Sequence, residues 1–442
     1  MDLTPSSIVY RAAYGVLDGA WVQAPWVAVD EGTVVACGHA HDDTKRPPAE
    51  ALIRDLGPVI LLPGLVNAHS HAFQRAIRGA THGRGTDDPS SFWSWREAMY
   101  RTAHALDPQG VYEITRQAYT EMLRAGITCV GEFHYLHHQP GGQPYDDPNE
   151  LSHQVLRAAE DAGIRVVLLE VLYLRGGHAT PPSPEQRRFC DADVDAYLWR
   201  VDALRSADVE LGLAPHSVRA VDRPALEAVA AYGRTHGLPL HAHVSEQPEE
   251  NAQCHAEYGA TPTQVLADAG LLARPRGFTA VHAIHVTDDD RRRLGDQHVC
   301  ACPTTEADLG DGIVPAVDLR EAGTTLALGS DSNAVIDLIQ EARLLEMHER
   351  LRSRARLRLC DGAGTLGLTL LHAATEAGAS ALGRAERSGR LATGRPFDAF
   401  TVGLDQPLLR GVAASHLLDG LMCAGTTTGV RHVFVGGVEH HG

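Results

Sequence analysis

The sequence predicts an α/β fold, a (β/α)8 barrel of the TIM type that carries a small β-sandwich built from both chain ends. Eight short apolar segments alternate with amphipathic segments through the middle of the chain, and this alternation is typical of βα units. The two ends show only short strands and turns, and neither end is long enough for a core of its own. A doubly wound open sheet is the alternative. It is disfavoured because no Gly-x-Gly-x-x-Gly follows a strand and opens a helix.

These patterns divide the chain into three segments. Residues 1–60 and 386–442 are predicted as the two parts of the sandwich, and residues 61–385 as the barrel. In the first part, alternating apolar residues between turns predict strands at 7–10, 15–22, 26–29 and 33–38. In the last part, an apolar run that ends at Val402 and an alternating run that begins at Val430 predict further strands.

The barrel elements follow one another in a regular order. Apolar runs predict its eight strands at 60–67, 128–133, 165–171, 210–215, 239–244, 278–282, 299–303 and 325–329. Helices are predicted between them, among others at 108–125, 150–162, 223–236 and 261–269, with glycines at the expected helix ends. Residues 139–148 and 175–184 are rich in Pro and Gly and are predicted as long loops. Loops after strands line the active site of a barrel.

The composition excludes several classes of function. The net charge is −17 and no basic cluster is present, so nucleic acid is not an expected partner. Lys45 is the only lysine and lies in a polar stretch, which argues against Schiff-base and phosphate-loop chemistry. The eight cysteines include no Cys-x-x-Cys pair, although Cys300 and Cys302 share a strand face. No signal pattern or 18-residue apolar span is seen, so we expect a cytoplasmic protein with reduced thiols and no membrane partner.

Polar side chains that can bind metal or move protons follow nearly every predicted barrel strand. His69 and His71 come after a buried run and, two residues apart, share one face, which favours a metal site. The strand ends of a barrel meet at its active site, and burying unpaired charges there costs several kcal/mol each. The set therefore indicates a catalytic site rather than a structural one. Its other members are Glu132, His134, Tyr135, His216, Arg219, His241, His243, Glu246, His282, His285, Glu306, Asp331 and Asn333.

This set, together with Pro-Gly-x-x-Asn-x-His-x-His at residues 63–71, resembles the amidohydrolase superfamily and its metal-dependent aminohydrolase branch. The resemblance covers the whole chain and implies a proton-shuttling Glu246 and an orienting His282. It also implies four metal ligands, His69, His71, His243 and Asp331, the last of which has a catalytic role as well. Zinc is the expected metal, one ion per subunit, with iron and manganese left open. Binuclear members use a barrel lysine, and this barrel has none, which favours a single metal.

Residues 69–75, 92–97, 132–135, 216–219, 245–247 and 302–306 further resemble the formiminoglutamate deiminases of this superfamily. That likeness implies hydrolysis of N-formimino-L-glutamate to N-formyl-L-glutamate and ammonia in histidine degradation, with a metal-activated water attacking the formimino carbon. It places five residues at substrate contacts: Gln74, Arg96, Tyr135, His216 and Arg219. Because Arg binds carboxylates bidentately, Arg96 and Arg219 are predicted to clamp a small anionic substrate. Asp308 stands where Asn is expected and adds charge near the rim. We also expect a homodimer.

Three other functions make different predictions about the sequence. An aminohydrolase acting on a purine, pyrimidine or triazine ring predicts an aromatic pocket without paired arginines. A catalytically inactive scaffold predicts missing ligands, whereas all four ligand positions are filled. A cytidine-deaminase type of zinc site is disfavoured because its His-x-Glu and Pro-Cys-x-x-Cys pattern is absent. The residues leave open whether formiminoglutamate or a close analogue such as formiminoaspartate is the substrate.

Overall fold

A parallel eight-stranded barrel and two smaller sheets build the protein, whose computed structural model describes residues 7–42, 44–48, 51–81, 92–360 and 365–440. The strands are β1 (Ile8–Arg11), β2 (Tyr14–Leu17), β3 (Ala20–Gln23), β4 (Pro25–Asp30), β5 (Thr33–His39), β6 (Leu52–Asp55), β7 (Val59–Pro63), β8 (Leu65–Ser70), β9 (Ile127–His134), β10 (Arg165–Leu172), β11 (Leu211–Pro215), β12 (Leu240–Val244), β13 (Phe278–His282), β14 (His298–Ala301), β15 (Thr325–Leu328), β16 (Ala399–Gly403), β17 (Val430–Val435) and β18 (Val438–His440).

The helices lie mainly between the barrel strands. They are α1 (Phe92–Ala105), α2 (Pro108–Arg124), α3 (Glu150–Ala162), α4 (Val194–Ser206), α5 (Arg223–His236), α6 (Pro248–Tyr258), α7 (Pro262–Asp268), α8 (Asp288–Arg293), α9 (Pro303–Leu309), α10 (Ala316–Glu321), α11 (Leu338–Ser353), α12 (Leu366–Ala373), α13 (Glu376–Ala381) and α14 (Leu417–Ala424). Short 3-10 helices lie at Ala72–Ile77, Ala414–His416 and Thr427–Gly429. Within the described ranges, none of the helices has the length and apolar character needed to cross a bilayer.

The barrel strands β8 to β15 pair in parallel and in the order of the chain. The first strand meets the residues after the last, where the Asp331 amide donates to the His69 carbonyl at 3.0 Å and the His71 amide donates to the Asp331 carbonyl at 2.9 Å. The predicted barrel is confirmed, and the doubly wound sheet is wrong because the strand order never reverses. This closure brings the ends of the first and last strands together.

The predicted first barrel strand, 60–67, is wrong as a single strand. β7 pairs antiparallel with β16 in a six-stranded sheet, and β8 begins the barrel beside β9. Gly64 separates the two strands, and a Cβ there would collide with the side chain of Thr128. Both strands are buried on both faces, so their apolar run shows no break where the chain passes from one sheet to the other.

The predicted strand at 15–22 is also wrong, because it is a hairpin of β2 and β3. Asp18 and Gly19 form its turn, and both have positive φ, as the two-residue turns of hairpins require. The flanking residues keep the alternation of a single strand, so the turn is visible only in the Asp-Gly pair.

Strands from both chain ends pair with one another, as predicted. The six-stranded sheet has the order β18-β17-β16-β7-β2-β3, and a four-stranded sheet has the order β5-β4-β1-β6. The two sheets share a buried core in which the ring of Tyr10 stacks on Phe397, with centroids 4.7 Å apart, and meets Phe434 edge-on. The domain limits at 60 and 386 stay a prediction.

Helix signals in the sequence place the barrel helices well. The predicted helices at 150–162 and 223–236 match α3 and α5, and Asp222 caps α5 by accepting from the Ala225 amide. Gly163 and Gly237 follow these helices with φ of 81° and 67°, a left-handed conformation that closes a helix and favours glycine. The chain therefore returns to the barrel at the expected places, and the loops after the strands gather at one end.

Candidate active site

Four predicted metal ligands converge at this end of the barrel. His69 lies on β8, His71 directly follows that strand, His243 lies on β12 and Asp331 follows β15, and all four are buried. The Nε2 atoms of His69 and His71 are 3.1 Å apart, and those of His71 and His243 are 3.4 Å apart. Asp331 Oδ1 lies 3.4 Å from His69 Nε2 and 3.3 Å from His71 Nε2. One donor atom from each residue thus lies within 4.8 Å of the others.

Hydrogen bonds turn the Nε2 lone pairs of two of these histidines toward the common centre. His71 Nδ1 lies 2.9 Å from the Phe133 carbonyl, and His243 Nδ1 lies 3.2 Å from the His216 carbonyl. A carbonyl can only accept, so each Nδ1 carries the proton and donates it. The Nε2 atoms are then bare acceptors that face one another. This outer hydrogen bonding is characteristic of metal-bound histidine.

The ionisation of the four residues also fits a cation. Burial, followed by the charge of His69, lowers the pKa of His71 to about 3, and burial lowers the pKa of His243 far below its usual range. Burial acts to raise the pKa of Asp331, but its hydrogen bond with His69 and the other neighbouring histidines together outweigh burial and lower that pKa. Three neutral imidazoles and one carboxylate therefore direct lone pairs at one point. This donor set suits a divalent metal such as zinc.

His282 and Glu246 lie beside Asp331. His282 Nε2 is 3.6 Å from Asp331 Oδ2 and 3.6 Å from Glu246 Oε1, and Glu246 also lines a cavity that reaches the metal ligands. Burial acts to lower the pKa of His282, but the negative charge of Glu246 and its other carboxylate neighbours raises it well above the usual range. The three side chains form a row at the edge of the proposed metal site, with His282 between the carboxylates of Glu246 and Asp331.

Left-handed backbone conformations are concentrated around these residues. A non-glycine residue in this conformation costs about 1–3 kcal/mol and persists where its surroundings hold it in place. Here Asn333 Nδ2 donates to Ser70 Oγ at 3.1 Å, and the Ala283 amide donates to the Val244 carbonyl at 3.0 Å. This backbone conformation directs side chains toward the cavity in orientations that a regular strand would not allow. The residues with positive φ at this rim are Ser245, His282, Ala283, Asp331 and Asn333.

The five predicted substrate contacts line the same cavity as His71, His243 and Asp331. Gln74 Nε2 donates to Tyr135 Oη at 2.7 Å. Arg219 is 14 % exposed, and its Nη2 lies 3.6 Å from Glu246 Oε2. Arg96 extends from α1, with its guanidinium carbon 5.6 Å from the ring centroid of Tyr100. The structure thus brings these residues together, and their role as substrate contacts stays a prediction. The full set is Gln74, Arg96, Tyr135, His216 and Arg219.

Several cavity residues were not foreseen. Tyr173 directly follows β10, so the same rule of strand ends would have found it. Tyr100 lies one helical turn after Arg96, a spacing that places both on one face. No local signal marks Phe189, because its position depends on the path of the long loop after β10. The unforeseen residues are Trp95, Met99, Tyr100, Tyr173, Phe189 and Leu309.

Other polar residues from the strand ends serve the barrel itself. Glu132 accepts from the Ala72 amide at 2.7 Å, and burial raises the pKa of its carboxyl to about 8. His241 Nε2 donates to the Ala381 carbonyl at 2.9 Å. Asp308, where the sequence departs from the expected Asn, is exposed on α9. The departure therefore leaves the metal ligands untouched.

The family of the chain follows from comparison with known proteins. The model of the amidohydrolase family matches residues 60–438, and the chain belongs to this family of metal-dependent hydrolases, as its sequence indicated. More particularly, it is 41 % identical to formimidoylglutamate deiminase from Pseudomonas aeruginosa over 89 % of this chain and 87 % of the relative.

More distant relatives share the fold and most of its length. A 5-methylthioadenosine/S-adenosylhomocysteine deaminase from Syntrophobacter fumaroxidans is 30 % identical over 95 % of this chain and 89 % of that protein. The crystal structure of an amidohydrolase from Brucella melitensis superposes with a TM-score of 0.86, at 31 % identity, over 98 % of this chain and 94 % of that one. The relatives of this chain thus include enzymes that are named for different kinds of substrate.

Proposed function

We propose that this protein hydrolyses N-formimino-L-glutamate to N-formyl-L-glutamate and ammonia, a reaction of histidine degradation. One observation carries the proposal. Arg96 and Arg219 line the same cavity as the metal ligands, in a protein whose net charge is −17. Two guanidinium groups match a substrate with two carboxylates. The 41 % identity to a formimidoylglutamate deiminase supports the same substrate.

The metal we propose is a single zinc ion, held by the three histidines and the aspartate. When bound, such an ion supplies a Lewis acid that makes water nucleophilic near neutral pH. Zinc is favoured over iron and manganese by the set of three imidazoles with one carboxylate. Elemental analysis of the purified protein tests this choice, and a different metal at one equivalent per chain would contradict it.

The side chains of the chain itself move the protons. Glu246 accepts a proton from the attacking water and delivers it to the formimino nitrogen, as a general base and then a general acid. His282 and Asp331, 3.6 Å apart at their nearest nitrogen and oxygen, hold the water and the developing charge in place. Water adds to the formimino carbon, and its second proton passes from the new hydroxyl through Glu246 to the same nitrogen. The bond from that carbon to the terminal nitrogen then breaks, and ammonia leaves as the formyl group forms. The formyl product keeps the oxygen of the water.

Neutral polar groups in the cavity orient the substrate. Burial raises the pKa of Tyr135 well above its usual range, so its hydroxyl stays protonated. Gln74 Oε1 is buried and has no hydrogen-bond partner among the described residues, so it is free to accept from an N–H of the substrate. Burial and then the charge of Arg219 lower the pKa of His216, which is therefore neutral. We propose that these three residues form hydrogen bonds with the uncharged part of the substrate.

A second candidate function has one observation in its favour. Aromatic rings line the cavity beside the arginines, as an aminohydrolase acting on a heterocyclic ring would require. The relative from Syntrophobacter fumaroxidans is named for adenosine compounds. Such an enzyme has no use for two cavity arginines, so this candidate ranks second. The rings are Trp95, Tyr100, Tyr173 and Phe189.

One assay separates the two candidates. Ammonia release is measured from N-formimino-L-glutamate, N-formimino-L-aspartate, guanine and S-adenosylhomocysteine, with metal content determined on the same sample. We expect N-formimino-L-glutamate to react fastest and to yield N-formylglutamate. Activity on guanine or S-adenosylhomocysteine alone would contradict the substrate while leaving the family intact. Protein carrying Glu246→Gln, purified in parallel, controls for contaminating hydrolases.

A further inference from the structure

Glu306 touches the proposed catalytic histidine from outside the cavity. It lies on α9 and is 1 % exposed. Its Oε1 accepts from the Cys302 amide at 2.8 Å and lies 3.3 Å from His282 Nδ1. The proposed hydrolysis leaves this carboxylate without a role, although it is buried beside the row formed by His282, Asp331 and Glu246.

We propose that Glu306 is a positioning residue, which accepts the Nδ1 proton of His282 and thereby holds Nε2 between Glu246 and Asp331. The part of this proposal that concerns catalysis rests on the proposed function. The contact itself can be tested independently of any substrate.

The ring of His282 depends on this one hydrogen bond. Its Nε2 has no hydrogen-bond partner among the described residues, and its distances of 3.6 Å to Glu246 and to Asp331 are too long for hydrogen bonds. The backbone of His282 and Ala283 is fixed with φ of 70° and 52°, so the direction of the side chain is set. The hydrogen bond to Glu306 then restrains rotation of the ring about its Cβ–Cγ bond. Without Glu306, a half-turn would place carbon where Nε2 now faces the two carboxylates.

The charge of Glu306 also argues for this role. A buried carboxylate costs several kcal/mol unless a cation or hydrogen bonds compensate it. A glutamine would satisfy the Cys302 amide equally well without that cost. The carboxylate gains by facing His282, because an N–H that donates to a charged acceptor makes a stronger hydrogen bond than one that donates to a neutral amide oxygen. A purely structural role therefore leaves the charge unexplained.

A second metal ion is a different interpretation of the same cluster. His282, Cys302 and Glu306 offer donor atoms within 4.8 Å of one another. Burial raises the pKa of the Cys302 thiol well above its usual range, which opposes the thiolate that a metal needs. The Cys302 amide also occupies Glu306 Oε1. We therefore interpret the cluster as a hydrogen-bonded support of His282, and two metals per chain would overturn this interpretation.

The experiment compares substitutions at position 306 in the full-length, metal-loaded protein. Glu306→Met removes the acceptor at similar volume, Glu306→Asp withdraws it by one methylene, and Glu306→Gln retains a neutral acceptor. The matched control is Glu341→Gln. Glu341 lies on α11 and is a buried carboxylate that accepts from the amide and hydroxyl of Thr304, which lies on α9 with Glu306. Readouts are metal content, kcat and KM for N-formimino-L-glutamate, and the hydrogen-bonded imidazole N–H signal of His282 in protein labelled with nitrogen-15 histidine.

We expect Glu306→Met to retain one metal and nearly the wild-type KM while kcat falls about 100-fold, the upper range for loss of an outer partner of an active-site group. The His282 N–H signal should disappear in the same variant. Glu306→Asp should act in the same direction, and it tests the contact should the Met variant not fold. Glu306→Gln should restore kcat to within about tenfold of wild type. The Glu341→Gln control should keep both kcat and the signal.

Three results would overturn the proposal: an unchanged His282 signal in both the Met and Asp variants, an unchanged kcat in both, or an equal loss in the Glu341→Gln control. Failure of the proposed function looks different. In that case wild-type protein would not hydrolyse N-formimino-L-glutamate, while its His282 signal would still be present and still depend on Glu306.

Discussion

The two sides of the catalytic cavity differ in how they are built. The hydrolytic side, which comprises His69, His71, His243, Glu246, His282 and Asp331, comes from strands and the residues directly after them, with neighbouring polar atoms 3.1–3.6 Å apart. The recognition side comprises Gln74, Arg96, Tyr135, His216 and Arg219. Tyr135 and His216 also directly follow strands, β9 and β11, whereas Gln74 and Arg96 lie on helices and Arg219 lies in the loop after β11.

The difference follows from what holds each side. Strand ends are fixed by the hydrogen bonds of the closed barrel, so the hydrolytic side is set by the fold itself. Loops and the outer helix α1 are not part of that ladder, and they can change without opening the barrel. The chemistry of the site therefore follows from the barrel, whereas the substrate follows from side chains that the barrel carries.

Loss of a ligand on the hydrolytic side should have the largest effect. Asp331→Asn removes the one negative ligand, so we expect the metal to be lost and kcat/KM to fall more than about 10³-fold, since even an outer partner is worth about 10- to 100-fold. Metal analysis and ammonia release on one sample measure both effects. His298→Gln, a buried histidine of β14 outside the ligand set, should retain metal and activity. Normal metal content in Asp331→Asn would remove Asp331 from the ligands.

Loss of the proton shuttle should come next and should separate chemistry from metal binding. We expect Glu246→Gln to retain a full equivalent of metal while kcat falls about 10²- to 10⁴-fold, the usual contribution of a general acid–base group. Steady-state kinetics with metal analysis measures this change. Turnover near that of the wild type would contradict the role of Glu246 as general base and general acid.

A substitution on the recognition side should leave the chemistry in place. Arg96→Met removes one proposed carboxylate contact, so kcat/KM should fall about 10- to 100-fold, mainly through KM, at full metal content. The matched control is Arg116→Met, because Arg116 is exposed on α2, away from the cavity. If both variants lost activity equally, Arg96 would be a surface charge of its helix rather than a substrate contact.

Acid should affect the two sides unequally. Arginine stays protonated, whereas the pKa of buried His71 is about 3 in the folded, metal-free protein and near 6.5 when unfolded. The unfolded state binds more protons between these values, so the free energy of unfolding falls as pH falls below 6.5. His71 contributes up to about 1.4 kcal/mol per pH unit. Urea unfolding of metal-free protein should show a shallower pH slope for His71→Gln. Exposed His255→Gln should keep the wild-type slope, and equal slopes in all three proteins would refute this origin.

The placement of His69 and His71 could be predicted from the sequence alone because strand geometry is regular. The spacing of His69 and His71 fixes one shared face, and their position after an apolar run fixes the end of the barrel. That His243 and Asp331 join them came from resemblance to a family. The structure supplies the physical cause, since closure between β8 and the residues after β15 brings Asp331 to His69.

Other features could not be read from the pattern. The passage of the chain between sheets at Gly64 is hidden in a continuous apolar run, because both β7 and β8 are fully buried. Phe189 reaches the cavity only through the path of a long loop, for which no local rule exists. The contact between Glu306 and His282 depends on where α9 begins and on how that helix packs beside β13. The periodicity of the strands does not predict either feature.

The proposed carboxylate clamp is tested most directly by measuring whether Arg219 binds a carboxylate of the substrate. Wild type and Arg219→Met are compared on N-formimino-L-glutamate and on two analogues that each lack one carboxylate, N-formimino-4-aminobutanoate and N-formimino-2-aminobutanoate. We predict a loss of about 10- to 100-fold in kcat/KM on the full substrate, and no difference between the two proteins on the analogue whose missing carboxylate Arg219 would bind. An equal loss on all three compounds would contradict a contact between Arg219 and a carboxylate of the substrate. It would mean that Arg219 acts through Glu246, 3.6 Å away, and not on the substrate.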